Sequence, residues 1–158
     1  KVPGESVDSV YAAKKAIDIM SWSWGAANHS SAHMGGGSGA GKVAVHDISI
    51  TKYTEKSTPI LWKLCCDGSH LPTGEIIVRK AGGGAGGKDA VEYVRILLDT
   101  VFCTSTHCGG SGGEDKLTES ITLSFRKFKI VYQIQNEKGA PMPGGKFGWD
   151  VASYTTWG

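Results

Sequence analysis

The sequence contains no run of about 18 apolar residues, so nothing in it reads as a membrane-spanning helix. Its first stretch, KVPGESVD, has neither the basic region nor the apolar core of a secretory signal. This argues for synthesis and folding in a cytoplasm, although the chain begins at Lys1 rather than Met, so its natural start is expected upstream. A dominant charge is missing too: 17 Lys and Arg face 15 Asp and Glu, a formal net charge of +2. The cations are dispersed among the acids and no basic cluster interleaves with aromatics, which removes the electrostatic footprint of a nucleic-acid binder. There is no internal repeat. At 158 residues, one domain buries roughly two thirds of its unfolded surface, so a core requires neither disulfides nor metal.

Patterns for catalysis are equally scarce. A nucleophile elbow needs G-x-S-x-G, and neither GGSGG at 109–113 nor GGSG at 36–39 has that spacing. Nothing in the order of the five histidines and the acids nominates a triad, and His46-Asp47 reads as a turn feature. No enzyme is expected. The four cysteines come as Cys65-Cys66 and as Cys103 and Cys108 with His107 between them. A vicinal pair on a helix does not present both thiols to one metal, and no C-x-x-C spacing is present, so no metal or other cofactor is expected, and a zinc or redox site on Cys103, His107 and Cys108 ranks behind reduced thiols and a disulfide. Cys65 reads as a small core residue. Cys103 and Cys108 flank a tip beside GGSGG; they stay reduced in a cytoplasm and are a possible disulfide in an oxidising medium.

Glycine is what the chain has in quantity: of 23 residues, 16 cluster at 35–41, 82–87, 109–113 and 144–145. The apolar runs between the clusters read as strands separated by turns, not as domains joined by a linker. Three of those runs change parity part way. In AIDIMSWSW, Ile17 and Ile19 share one face, whereas Met20, Trp22 and Trp24 share the other. Val43 and Val45 give way to Ile48 and Ile50, and Ile121, Leu123 and Phe125 give way to Phe128, Ile130, Tyr132 and Ile134. A one-residue slip turns every later side chain to the opposite face unless a bulge absorbs it or the strand bends between sheets. Long strands that turn corners are expected, as in a small barrel or an orthogonal sandwich. Further strands are predicted at Glu75–Lys80, Val91–Thr106 and Phe147–Tyr154, the second on its β-branched and aromatic content. One helix is predicted at about 58–67, with Thr58 as cap, Pro59 at the first position, Ile60, Leu61, Leu64 and Cys65 on its apolar face, and Gly68 as its stop. Trp62 and Cys66 point elsewhere, and the indole is either a partly buried tail or a contact for a partner.

Gly36 to Lys42 spells G-x-x-x-x-G-K, the pattern of a phosphate-binding loop. That loop needs a helix after it and Ser or Thr after the lysine, whereas here Val43 opens a strand pattern. A phosphate- or nucleotide-binding domain using Gly36–Lys42 is kept as the alternative to the reading that follows.

The segments GES at 4–6, SWSWG at 21–25, AHMGGGSGAGKV at 32–43, TKYTEKSTP at 51–59, RKAGG at 79–83, GGSGGEDKLTE at 109–119 and KFGWD at 146–150 closely resemble the haemolysin-coregulated protein (Hcp) family. These are the tube proteins of bacterial type VI secretion systems, and the similarity runs in order over essentially the whole chain. It departs before Lys1, where the first family strand is largely absent, and at the cysteines and His107. The resemblance implies one domain over 1–158, mainly β: a small β-barrel of two antiparallel sheets, one flanking helix and a long extended Gly-rich loop at about 29–42. It implies a homohexameric ring, stacked with others into a tube inside contractile sheath proteins, beneath a spike protein of the VgrG type. The tube carries secreted effectors in its lumen and leaves the bacterial cytoplasm without a signal peptide, for the medium or a target cell. No nucleic acid and no membrane insertion are implied. On this reading His33, Met34, Gly35, Gly36, Gly37, Ser38, Gly39, Ala40 and Gly41 form the ring–ring stacking loop. Ser23, and after it Ser21, face the lumen, with Trp22 and Trp24 packed inward. Trp62, Glu114, Asp115, Tyr154 and Trp157 are the candidates for the subunit interface.

Overall fold

The computed structural model describes residues 1–28, 41–80, 90–136 and 141–158. Two strands dominate it. β6 (Val91–Gly109) and β7 (Thr118–Gln135) pair antiparallel along almost their whole length, and the other strands attach to their edges. β5 (His70–Lys80) lies along the first part of β6. On the free edge of β7, β4 (Ile48–Tyr53) pairs with Thr118–Leu123 and β8 (Pro141–Asp150) pairs with Lys127–Gln135. β1 (Ser21–Ser23) extends β4, and the short β9 (Thr155–Thr156) extends β8. β2 (Ala26–Asn28) and β3 (Val43–Val45) form a separate two-stranded sheet. The fold is mainly β with one helix, as expected, but among the described residues the strands do not close into a barrel.

Two of the three parity slips mark real corners. In β7 both Phe125 and Phe128 are buried, three positions apart; in β6 the residues opposite them, Val101 and Leu98, are buried as well. Both strands therefore change face at the same level, between Asp99–Val101 and Phe125–Lys127. Thr100 takes a φ of 53°, a left-handed conformation costly for a β-branched residue, at that bend. The core lies inside the fold so made: Ile48, Ile76, Ile96, Leu98, Val101, Phe125 and Phe128, with Trp24, Ile50 and Trp149 against it. The second slip, at His46-Asp47, is where the chain leaves the two-stranded sheet and enters the large one. The first needs a correction. The strand covers Ser21–Ser23 alone, and beyond it the chain passes into β2 of the small sheet, so Trp22 and Trp24 do not pack alike. Trp24 sits edge-on to Phe125 and Phe128, 5.7 and 4.8 Å between ring centroids, whereas Trp22 is 38% exposed on the edge strand.

Helix α1 spans Thr58–Asp67. Pro59 suits its first turn, and Gly68 stops it with a φ of 69°, its amide donating to the Leu64 carbonyl. The N-cap is Ser57 rather than Thr58. The Thr58 hydroxyl is engaged elsewhere, accepting from the Glu55 amide at 3.1 Å and donating to the Glu119 carboxylate at 2.8 Å. Leu61, Leu64 and Cys65 face the sheet, while Trp62 and Cys66 are exposed.

The C-terminal strand also differs from the expected Phe147–Tyr154. It starts earlier, in a Pro/Gly-rich stretch with no alternation to reveal it, and stops at Asp150. There the Asp150 carboxylate accepts from the amides of Ala152 and Ser153 at 2.9 and 3.0 Å, folding a turn that Tyr154 leaves with a φ of 58°. Those bonds, Ser153 first, together with nearby Arg126, hold the Asp150 carboxyl below its ordinary 3.8. A lowered folded-state value means the turn's contribution is present above the unfolded value and is lost as pH falls through the folded one. Thermal midpoints of wild type and Asp150→Asn are therefore expected to differ at neutral pH and to converge below about pH 4.

A hydroxyl-lined face on the first half of the sheet

Directly opposed residues of antiparallel strands share a face. Across β1, β4, β7 and β6 the register aligns Ser23, Ser49, Thr122 and Ser105 in one row, and Ser21, Thr51, Ser120 and His107 in the next. All eight side chains lie on the face away from the core; Ser21, Ser23, Ser49, Ser120 and His107 are exposed and the other three half-buried. The intervening rows, Ile48–Leu123–Cys103 and Trp22–Ile50–Ile121–Thr106, point to the other side. A bulge at Thr104 keeps the pattern intact. Cys103 faces inward, so without the extra residue Ser105 and His107 would face inward too. The Thr104 hydroxyl secures the bulge, donating to Asp47 at 2.9 Å.

The two rows hold seven short neutral hydroxyls and one imidazole. Each hydroxyl donates and accepts, and each is already solvated, so contacts made here exchange water for a partner at little net gain. Among the described residues, no three His, Cys, Asp or Glu side chains gather as metal ligands, and no helix is long and apolar enough to cross a membrane.

Of these eight, sequence reasoning selected Ser21 and Ser23. The other six stand on three strands far apart in the chain and meet only through register, although the alternating hydroxyls of Ser49/Thr51, Ser120/Thr122 and Ser105 carried a readable period of two.

The remaining candidates fall elsewhere. Trp62 is 42% exposed on the outer side of α1. Glu114 and Asp115 are exposed around the turn between β6 and β7. Tyr154 and Trp157 make contacts within their own chain: the Tyr154 hydroxyl donates to the Val43 carbonyl at 2.9 Å, and Lys127 and Lys129 lie over the Trp157 ring at 5.7 and 5.0 Å. Residues 33–40 of the Gly-rich loop lie outside the described residues; Gly41 is half-buried. Lys42 sits 5.1 Å over the Tyr154 ring, and β3, not a helix, follows it, so the phosphate-loop reading lacks its helix N-terminus there. Cys103 and Cys108 stand on one continuous strand, roughly 15 Å apart at about 3.3 Å per residue, well beyond the reach of a disulfide. The disulfide kept as a possibility for an oxidising medium is not available while β6 continues through both residues.

A surface of exposed apolar side chains went unnoticed in the sequence. Tyr132, Ile134, Met142 and Phe147, between 42 and 51% exposed, occupy the β7–β8 hairpin where it runs past the core.

A family model described as type VI secretion system effector, Hcp, matches residues 1–132. The chain is 48% identical over 151 residues to protein hcp1 of Pseudomonas aeruginosa, covering 95% of this chain and 90% of that one. It also superposes on the solved structure of a type six secretion system protein, with a TM-score of 0.88 and 25% identity over 99% of this chain and 94% of the other. For Hcp1 from Salmonella typhimurium the TM-score is 0.75 and the identity 26%, over 99% and 93% of the two chains.

Proposed function

The chain belongs to the Hcp family of type VI secretion, and from that premise we propose that it is a structural and transport subunit. Copies of it close into a hexameric ring, rings stack into a tube within a contractile sheath, and the tube is expelled beneath a VgrG-type spike with effectors in its lumen. The observation that favours this reading is the hydroxyl face: four strands in register present Ser21, Ser23, Ser49, Thr51, Ser105, Ser120, Thr122 and His107 together. A channel that must hold cargo and then release it needs such a lining. Ring closure needs two unlike apolar patches on one subunit. The exposed Tyr132, Ile134, Met142 and Phe147 offer one, and Trp62 on α1 offers a candidate for the other. The segment Gly36–Gly41 is proposed to reach the neighbouring ring. The protein turns over no substrate, is made in the bacterial cytoplasm and ends outside the cell.

Native mass spectrometry and negative-stain imaging test this on wild type beside a variant lacking Gly36–Gly41. Six-subunit rings are expected in both, with end-to-end stacking weakened in the variant alone. Monomers at every concentration overturn the tube reading.

A further inference from the structure

A second buried cluster lies between α1 and the ends of β6 and β7 that carry the hydroxyl face. Leu61, Cys103 and Ile121 form its centre, and Val2, Leu64, Cys65 and Leu123 pack around them. Two thiols therefore meet where helix touches strand. Cys65 stands one turn after Leu61 on the face that α1 turns to the sheet, and Cys103 points inward from β6 beneath it. Their exposures differ: Cys103 is 8% exposed, whereas Cys65 is half-buried. Burial pushes the Cys103 thiol up to about 11, and the Cys65 thiol beside it adds to the rise. Cys66 and Cys108 are exposed, one on the outer side of α1 and the other far along β6.

We propose that Cys65 and Cys103 are a redox pair that closes into a disulfide tying α1 to β6 when the protein meets a small-molecule disulfide such as oxidised glutathione. Cys65, the accessible member, reacts first. Its thiolate attacks one sulfur of the glutathione disulfide, forming a mixed disulfide and expelling one glutathione thiolate, which takes up the proton that Cys65 lost. Cys103 then releases its proton, and its thiolate attacks the Cys65 sulfur. The second glutathione leaves as a thiolate and is protonated in turn. Two cysteine thiols are oxidised and one glutathione disulfide is reduced to two thiols, with no net change in protons. The thiolate of a buried, high-pKa thiol is scarce at neutral pH, so the second step is the slow one and quickens as pH rises. The bond encloses the chain from α1 through β5 into β6 and restricts that stretch in the unfolded protein. The inference concerns the thiol chemistry of the subunit and stands apart from the tube reading.

The full chain is incubated with oxidised glutathione at pH 8.5, its free thiols are alkylated with iodoacetamide, and the non-reduced digest is mapped by mass spectrometry. The expected product is a Cys65–Cys103 linked peptide pair with Cys66 and Cys108 alkylated, and a thermal midpoint raised by roughly 5–10 °C that reverts with dithiothreitol. Cys103→Ser is expected to stop at a glutathione adduct on Cys65 with no such rise. Should that variant fail to fold, Cys66→Ser/Cys108→Ser serves instead, and must still lose both remaining thiols to one cross-link. Four alkylated cysteines in the treated wild type, or glutathione adducts confined to Cys66 and Cys108, overturn the proposal.

Discussion

Replacing Glu119 with alanine is expected to lower the thermal midpoint by roughly 10 °C, the cost of removing the closest counter-charge of a buried ammonium. Glu119 and Lys52 are opposed across β7 and β4, their side chains are 0% and 2% exposed, and the two form a direct ion pair under α1. Lys52 Nζ also donates to the Tyr53 carbonyl at 3.0 Å, and Glu55 lies 3.7 Å away. Without Glu119, the ammonium keeps Glu55 as its nearest carboxylate, and Thr58 loses the acceptor that fixes the first turn of the helix. Breaking one side of such a pair costs about 3–5 kcal/mol, whereas exchanging both sides for apolar groups is often neutral. Glu119 Oε2 has no hydrogen-bond partner among the described residues, which leaves the pair incompletely compensated. Lys52→Met/Glu119→Leu is accordingly expected to recover most of the lost stability. Denaturation of wild type, both single variants and the double variant measures this; single losses under about 1 kcal/mol would mean the site is wet.

The second large effect is expected at Phe128→Ala, about 3–5 kcal/mol of unfolding free energy. Phe128 is buried next to the corner of β7, opposite Leu98 on one side and Trp149 on the other, with Trp24, Phe125 and Phe147 around its ring. Truncation empties the point where the two halves of the folded sheet meet. Phe147→Ala, two strand positions beyond Trp149 and 51% exposed, provides the contrast. It is expected to change the subunit's urea midpoint little and to weaken ring assembly instead. Equal losses from the two substitutions in the monomer would contradict the packing described here.

The features legible beforehand were those written in local pattern. The helix announced itself through Pro59, its apolar face and Gly68, and two of the three parity slips, in β7 and at His46-Asp47, mark places where the chain changes face or sheet. Composition alone decided β6 against a helical period. What stayed hidden depends on pairing at long range. Lys52 and Glu119, far apart in the chain, meet only when β4 and β7 are laid side by side. Ser49, Ser105 and Thr122 become one row through register and through a bulge at Thr104 that no residue type signals. The start of β8, Pro-Met-Pro-Gly-Gly, carries no strand propensity and is held by its partner β7. Trp22 and Trp24 share a parity, yet β1 ends between them and separates their fates.

The 19 and 18 residues of β6 and β7 run unbroken through the corner, bonded to each other on both sides of it. Mechanically, this makes the pair the tensile member of the subunit. A force that draws the two strands past each other along their axis loads their cross-strand hydrogen bonds in shear together, because those bonds lie perpendicular to the chain. The two-residue β9, by contrast, is peeled from β8 a bond at a time. Resistance to force is therefore anisotropic, greatest along the β6–β7 axis and least at the C-terminal edge, and a subunit pulled from its end yields there long before its spine gives way.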